Sequence, residues 1–164
     1  MLSRLIILIV FMSSTIAFGQ LLTEEQLDTC RTYRSIESAL KHPEKVFVLK
    51  LEKQKLKEFP MDILKLPNLQ ELSLAKNKIK EIPNEISQLK HLQFANFSKN
   101  RVEEFPEGLT ECIHLKKLIF NQNLLQALPA KIGNLKKLEY LDLWSNDLGI
   151  YPVEMRQMKA LKEL

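Results

Sequence analysis

Glycine is scarce in this chain, with four scattered residues among 164, and the phosphate-cradling loops that need it are missing. No G-x-S-x-G turn, H-E-x-x-H pair or C-x-x-C motif occurs either. Each of these supplies something catalysis requires, whether a ring of backbone N–H groups, an exposed nucleophile or paired metal ligands. The chain is therefore read as non-enzymatic, with no cofactor. Cysteine is limited to Cys30 and Cys112, and a one-sided charge is lacking as well: 24 basic residues face 20 acidic ones, a net of +4. So mild an excess does not mark a nucleic-acid binder.

What the chain has in abundance is a period. Asparagine recurs at Asn77, Asn100, Asn123 and Asn146, and proline at Pro60, Pro83, Pro106, Pro129 and Pro152, both in steps of 23 residues. A fixed period in this range indicates a solenoid, whose units bury their apolar sides only by stacking on one another. One unit reads Leu69-x-x-Leu72-x-Leu74-x-x-Asn77-x-Ile79-x-x-Ile82-Pro83-x-x-Ile86-x-x-Leu89. The alternation through Leu72 and Leu74 predicts a short strand with leucines inward and the intervening residues on a concave face. The asparagine turns the chain, its amide satisfying open backbone groups or bonding to stacked copies of itself. The proline-led second half, with apolar residues three apart, predicts a short helical or 3₁₀ segment on the convex side.

These units resemble the leucine-rich repeat family in its 23-residue L-P-x-x-I class, found in Ras-suppressor-like scaffolds, plant intracellular repeat proteins and bacterial secreted proteins. The resemblance covers Val46 to Leu164. It implies an α/β solenoid, a right-handed superhelix or horseshoe with a parallel concave sheet and short convex segments. Five full repeats occupy 46–160, and a sixth opens at Leu161. Gln54 stands where the asparagine ladder should begin, so the first turn is expected to be bonded less well. Ala95 replaces a strand leucine, and Phe97 and Phe120 are expected to fill its volume. Cys112 takes a leucine position and reads as a small buried apolar residue. With roughly 5 Å per stacked strand, Cys30 and Cys112 lie too far apart for a disulfide.

Two segments precede the repeats. Residues 1–19 carry one charge, Arg4, then an apolar run from Leu5 to Met12 and an Ala17-Phe18-Gly19 ending, the pattern of a cleavable secretory signal. The run is too short for a comfortable membrane span, so no stable span is expected after cleavage. Without Arg4 the net charge falls to +3. The expected location is secreted, periplasmic or at the cell surface. Residues 20–45 carry helical signs, with Thr23 and Gln26 as a capped start and Leu27, Tyr33, Ile36 and Leu40 as an apolar stripe. They predict a helical N-terminal cap over the open end of the first repeat. At the other end, Leu161-Lys162-Glu163-Leu164 opens a strand without a polar capping element. The preferred expectation is a fragment of a longer repeat protein, over end-to-end pairing or a frayed last turn.

The variable strand positions define the candidate site. Phe94, Lys117, Ile119, Tyr140, Asp142 and Trp144 fall on the concave side of the later repeats, where grouped aromatics favour a protein partner. Local packing among these side chains is the competing reading. Flanking the asparagines, Lys53, Lys55, Lys76, Lys78, Lys99 and Arg101 form a basic edge, an accessory contact for an acidic protein or polysaccharide. The Glu58, Glu81 and Glu104 ladder beside it favours a partly neutralised, solvated edge. His91 and His114 share one repeat position but lack a third ligand, so they read as solvent positions and not as a metal site. Asn96-Phe97-Ser98 is an N-glycosylation sequon on the concave strand, read here as a bare strand asparagine. The function expected is protein binding through the concave face. The alternatives are a sensing region of a larger receptor or enzyme continuing beyond Leu164, and an intracellular Ras-suppressor-like scaffold.

Overall fold

The computed structural model describes residues 19–164, so all of the expected signal peptide except Gly19 lies outside the described residues. Two short helices come first, α1 (Glu24–Thr29) and α2 (Ile36–Ala39), with strand β1 (Thr32–Tyr33) between them. Five three-residue strands follow: β2 (Val48–Lys50), β3 (Glu71–Ser73), β4 (Phe94–Asn96), β5 (Lys117–Ile119) and β6 (Tyr140–Asp142). All six pair in parallel and in sequence order. From β2 onward the register advances by one repeat per strand, Leu49 opposite Leu72, then Ala95, Leu118 and Leu141. Those five inward side chains are each at most 3 % exposed and run as a single apolar stack through the coil. Beyond β6, Glu163 bridges to Tyr140 and carries the ladder into the opening of the next unit.

Between strands the chain returns through 3₁₀ segments at Met61–Lys65, Asn84–Gln88, Glu107–Glu111, Ala130–Asn134 and Val153–Gln157. Each begins after a proline whose carbonyl accepts the first bond, as Pro83 O does from Ile86 N at 3.1 Å. The tighter i→i+3 pattern suits such short segments and points one isoleucine, leucine or methionine of each unit at the core. The 3₁₀ segments stack closely. A Cβ built on Gly108 would lie 2.0 Å from the Asn84 carbonyl oxygen, so no larger residue fits there.

The asparagines take the first of the two expected roles and satisfy open backbone groups. Among the described residues they do not bond to one another. Each Oδ1 accepts from a backbone N–H 21 residues earlier, that of Leu56, Ile79, Val102 or Leu125, at 3.0–3.1 Å. Each Nδ2 donates to carbonyls three and 26 residues earlier, for Asn100 those of Phe97 and Leu74. One amide thus pins its own turn and that of the preceding repeat. The first turn is pinned from the following repeat alone: Asn77 Oδ1 accepts from both Gln54 N and Leu56 N, while the Gln54 side chain donates outward to Arg34 O and not, as the asparagines do, to a carbonyl of its own turn. The residue before each asparagine pays for the tight bend with a left-handed conformation, φ between +55° and +60° at Lys53 (before Gln54), Lys76, Lys99, Gln122 and Ser145.

Residues 20–45 do not form a continuous helical cover. The Thr23 capping box with Gln26 is present at the start of α1. Ser35, however, starts a second helix, its side chain accepting from Ser38 N at 3.2 Å. Between the two, Thr32 and Tyr33 pair with Val48 and Leu49 as a strand. Tyr33 and Ala39 are buried in the main core, with Ile36 and Leu40 packed on it. The open end of the first repeat is thus covered by β1 and α2, while α1 lies against the concave face. Phe97 and Phe120 are fully buried, with ring centroids 5.0 Å apart beside Ala95, as its small volume led us to expect. Among the described residues no helix is long and apolar enough to cross a membrane.

Candidate functional site: the concave face

The strand geometry places Lys117 and Ile119 on β5 directly opposite Tyr140 and Asp142 on β6. The Lys117 ammonium sits 4.7 Å from the centre of the Tyr140 ring, a cation–π contact between neighbouring strands. Asp142 accepts from the Asn121 amide and, at 3.1 Å, from Trp144 N–H. These bonds fix the backbone that carries Trp144 while its indole stays 69 % exposed. Behind it Tyr151, 49 % exposed, and Leu164 line a groove that Trp144 also borders. Tyr151 went unnoticed in the sequence because it lies outside the strand columns, just before a repeat proline.

Phe94 is placed differently from the other five. It shares the concave face but is half-buried in a second apolar cluster with Leu22, Leu27 and Val48. The segment from Gly19 to Thr29 crosses the face at the early repeats, and Val48 beneath it is 1 % exposed. Hydrogen bonds hold the crossing in place: Gln70 Oε1 accepts from Leu22 N at 2.9 Å, Gln70 Nε2 donates to Gln20 O at 2.7 Å, and Gln93 Nε2 donates to Leu22 O at 2.8 Å. Asn68 Oδ1 accepts from Gly19 N at 3.3 Å. Burying Leu22 and Leu27 adds roughly 1.5–3 kcal/mol each. The sequence carried one sign of this. The column before each strand is charged at Lys116, Glu139 and Lys162 but neutral at Gln70 and Gln93, the two side chains that meet the N-terminal segment.

The six basic-edge residues are all exposed, and Lys53, Lys55, Lys76 and Lys99 owe their outward position to left-handed turn residues. Lys78 and Arg101 join Lys57 and Lys80 around one surface hollow with Glu58 and Glu81, so cations and acids are interspersed there. His91 Nδ1 lies 2.9 Å from Pro67 O and His114 Nδ1 lies 3.1 Å from Lys137 Nζ. Partial burial, with Lys137 next in weight, holds the His114 imidazole below its usual pKa.

Cys112 and Cys30 are both free thiols. Cys112 is fully buried and directs its thiol at Ile86 O, 3.6 Å away. Burial pushes its pKa up to about 12. At pH 8 only ~1 in 10⁴ of such thiols is ionised. Iodoacetamide is therefore expected to leave Cys112 unmodified in the native protein and to label it promptly in urea, read by peptide mass. Equal rates in the two conditions would show that this turn opens freely.

The Leucine Rich Repeat family model matches residues 68–89. A leucine-rich repeat protein of Leptospira interrogans is 33 % identical, with a TM-score of 0.66, over 82 % of this chain and 40 % of its own. A chain of the BIR3–SERK2 complex of Arabidopsis thaliana is 32 % identical, with a TM-score of 0.62, over 66 % of this chain and 61 % of its own. The BIR2 ectodomain of the same plant is 28 % identical, with a TM-score of 0.59, over 64 % of this chain and 58 % of its own. No curated protein matches significantly. With the parallel ladder and its one-repeat register, these likenesses place the chain in the leucine-rich repeat family. It spans between 40 % and 61 % of the length of those three relatives.

Proposed function

We propose that the chain is a non-catalytic binding module of a secreted or cell-surface protein, and that it engages a protein partner through the β5–β6 end of its concave face. The observation that carries this reading is Trp144, an indole 69 % exposed on a backbone fixed by Asp142, beside Tyr140 and Lys117. Exposed, pre-positioned aromatics of this kind dominate interface energetics. The N-terminal segment covers the early repeats and borders Lys117 and Ile119 across a cavity, so Ile119 and Asp142 complete the contact and Phe94 lies at its margin. The basic edge is an accessory contact for an acidic stretch of the partner or a polysaccharide. Two likenesses support the reading: one Arabidopsis relative was solved in a complex, and another is an ectodomain.

The double variant Tyr140→Ala/Trp144→Ala is expected to bind about 100-fold more weakly to a protein captured by the parent chain, with Tm lowered by no more than ~2 °C. Titration calorimetry and thermal melting on the same preparations would show it. Undiminished affinity would remove this end of the face from consideration. A large fall in Tm would mean that the two rings serve packing.

A further inference from the structure

Helix α1 stands over the concave sheet and leaves a cavity of about 240 Å³ between itself and strands β2–β5. Leu27 on the helix and Phe94 and Ile119 on the sheet give it apolar walls. Four carboxylates also line it, Glu24 and Asp28 from α1, Glu52 and Glu71 from the first two repeats. Its two cations are already engaged: Lys50 pairs with Glu71 at 2.6 Å, and Lys117 lies over the Tyr140 ring. Glu52 accepts from the Ser73 hydroxyl at 2.7 Å. Glu24 and Asp28 remain, four residues apart and so one turn apart on the same side of α1. Like charges at that spacing cost a few tenths of a kcal/mol in a helix. Among the described residues no ion pair includes either of them.

An apolar wall ending at two uncompensated carboxylates complements a hydrocarbon stem that carries a cation at its tip, which is the chemistry of lysine and arginine. An acidic or purely apolar group would leave Glu24 and Asp28 desolvated without a partner. We propose that this cavity receives a lysine or arginine side chain of the protein partner, with Leu27, Phe94 and Ile119 against its stem and Glu24 and Asp28 at its charge. The assignment rests on the concave face being the partner surface, and it narrows the partner to one presenting a basic residue near the aromatic contacts at Tyr140 and Trp144. Helix α1 then acts as one jaw of the site, with the sheet as the other.

Nα-acetyl-L-arginine N-methylamide, titrated into the ¹⁵N-labelled chain, is expected to shift the amide signals of Leu27, Asp28, Phe94 and Ile119 saturably. Nα-acetyl-L-norleucine N-methylamide, with a similar stem and no charge, should bind about 10-fold more weakly, as two partly solvated ion pairs imply. The exposed-site variant Glu24→Gln/Asp28→Asn should lose the same factor for the arginine compound while the rest of its spectrum is unchanged. Absent shifts at these residues, equal binding of the norleucine compound, or unaltered binding by the variant would each overturn the assignment. If the arginine compound fails while Tyr140→Ala/Trp144→Ala still abolishes partner capture, the cavity assignment alone falls. If it binds while capture ignores that pair, the cavity stands and the β5–β6 contact falls.

Discussion

Phe120→Ala is expected to cost about 3–5 kcal/mol of stability, the range for emptying a buried phenylalanine site. Phe120 is fully buried, its ring 5.0 Å from that of Phe97 and 5.4 Å from that of Phe105. The three rings fill the middle repeats, where Ala95 supplies no leucine, so neighbouring side chains have little spare length with which to collapse into the hole. Leucine at 120 should recover more than half of the loss. Urea titration followed by circular dichroism would measure both variants, and the alanine form should melt roughly 6–20 °C lower. The site is central as well as large. A repeat array is stabilised by its internal interfaces, so weakening the junction of the third and fourth repeats should broaden the transition as the two halves uncouple. A sharp transition with a loss below about 1.5 kcal/mol would show that the cavity closes by repacking.

Much of this architecture was written in the spacing of single residues. Leu72 and Leu74 alternate, Asn77 and Pro83 follow at fixed offsets, and copying that unit every 23 residues fixes strand register and segment order together. Local pattern suffices because each repeat touches mainly its neighbours. The N-terminal segment escaped the same reasoning. Its path is set by Gln70 and Gln93, which bond to residues near position 21 across separations of 48 to 71 residues, and no periodic pattern reports such a pairing. For the same reason the face of Phe94 was legible while its exposure was not. Strand alternation gives the direction of a side chain, but whether it meets water depends on what crosses above it. Lys117 and Ile119 line the cavity beneath α1 without being buried by it, and Trp144 is open to water, so there the columns alone were enough to bring these two together with Tyr140, Asp142 and Trp144.

Asn100→Ala is expected to lose at least ~3 kcal/mol, although it removes only a small polar group. Asn100 Oδ1 accepts from Ile79 N at 3.0 Å, and its Nδ2 donates to Leu74 O at 2.9 Å and Phe97 O at 3.0 Å. All of these bonds are buried, and a buried backbone group left without a partner costs about 1–3 kcal/mol. Chemical denaturation would give the size of the loss, and Asn100→Asp would give its origin. An aspartate keeps an acceptor for Ile79 N–H but turns an anion toward two carbonyls, so its ionised form is penalised in the folded state and its folded pKa rises above the unfolded value near 3.9. The protonated form can donate again. Below about pH 4 the aspartate variant should therefore approach the parent in stability, and the gap should widen as pH rises through the folded pKa. Alanine should show no such dependence. If the alanine variant lost less than about 1 kcal/mol, a water would have taken over the amide's bonds. The asparagine would then be a convenience of the turn, and the left-handed residue beside it, Lys99, would have to be held by the sheet alone.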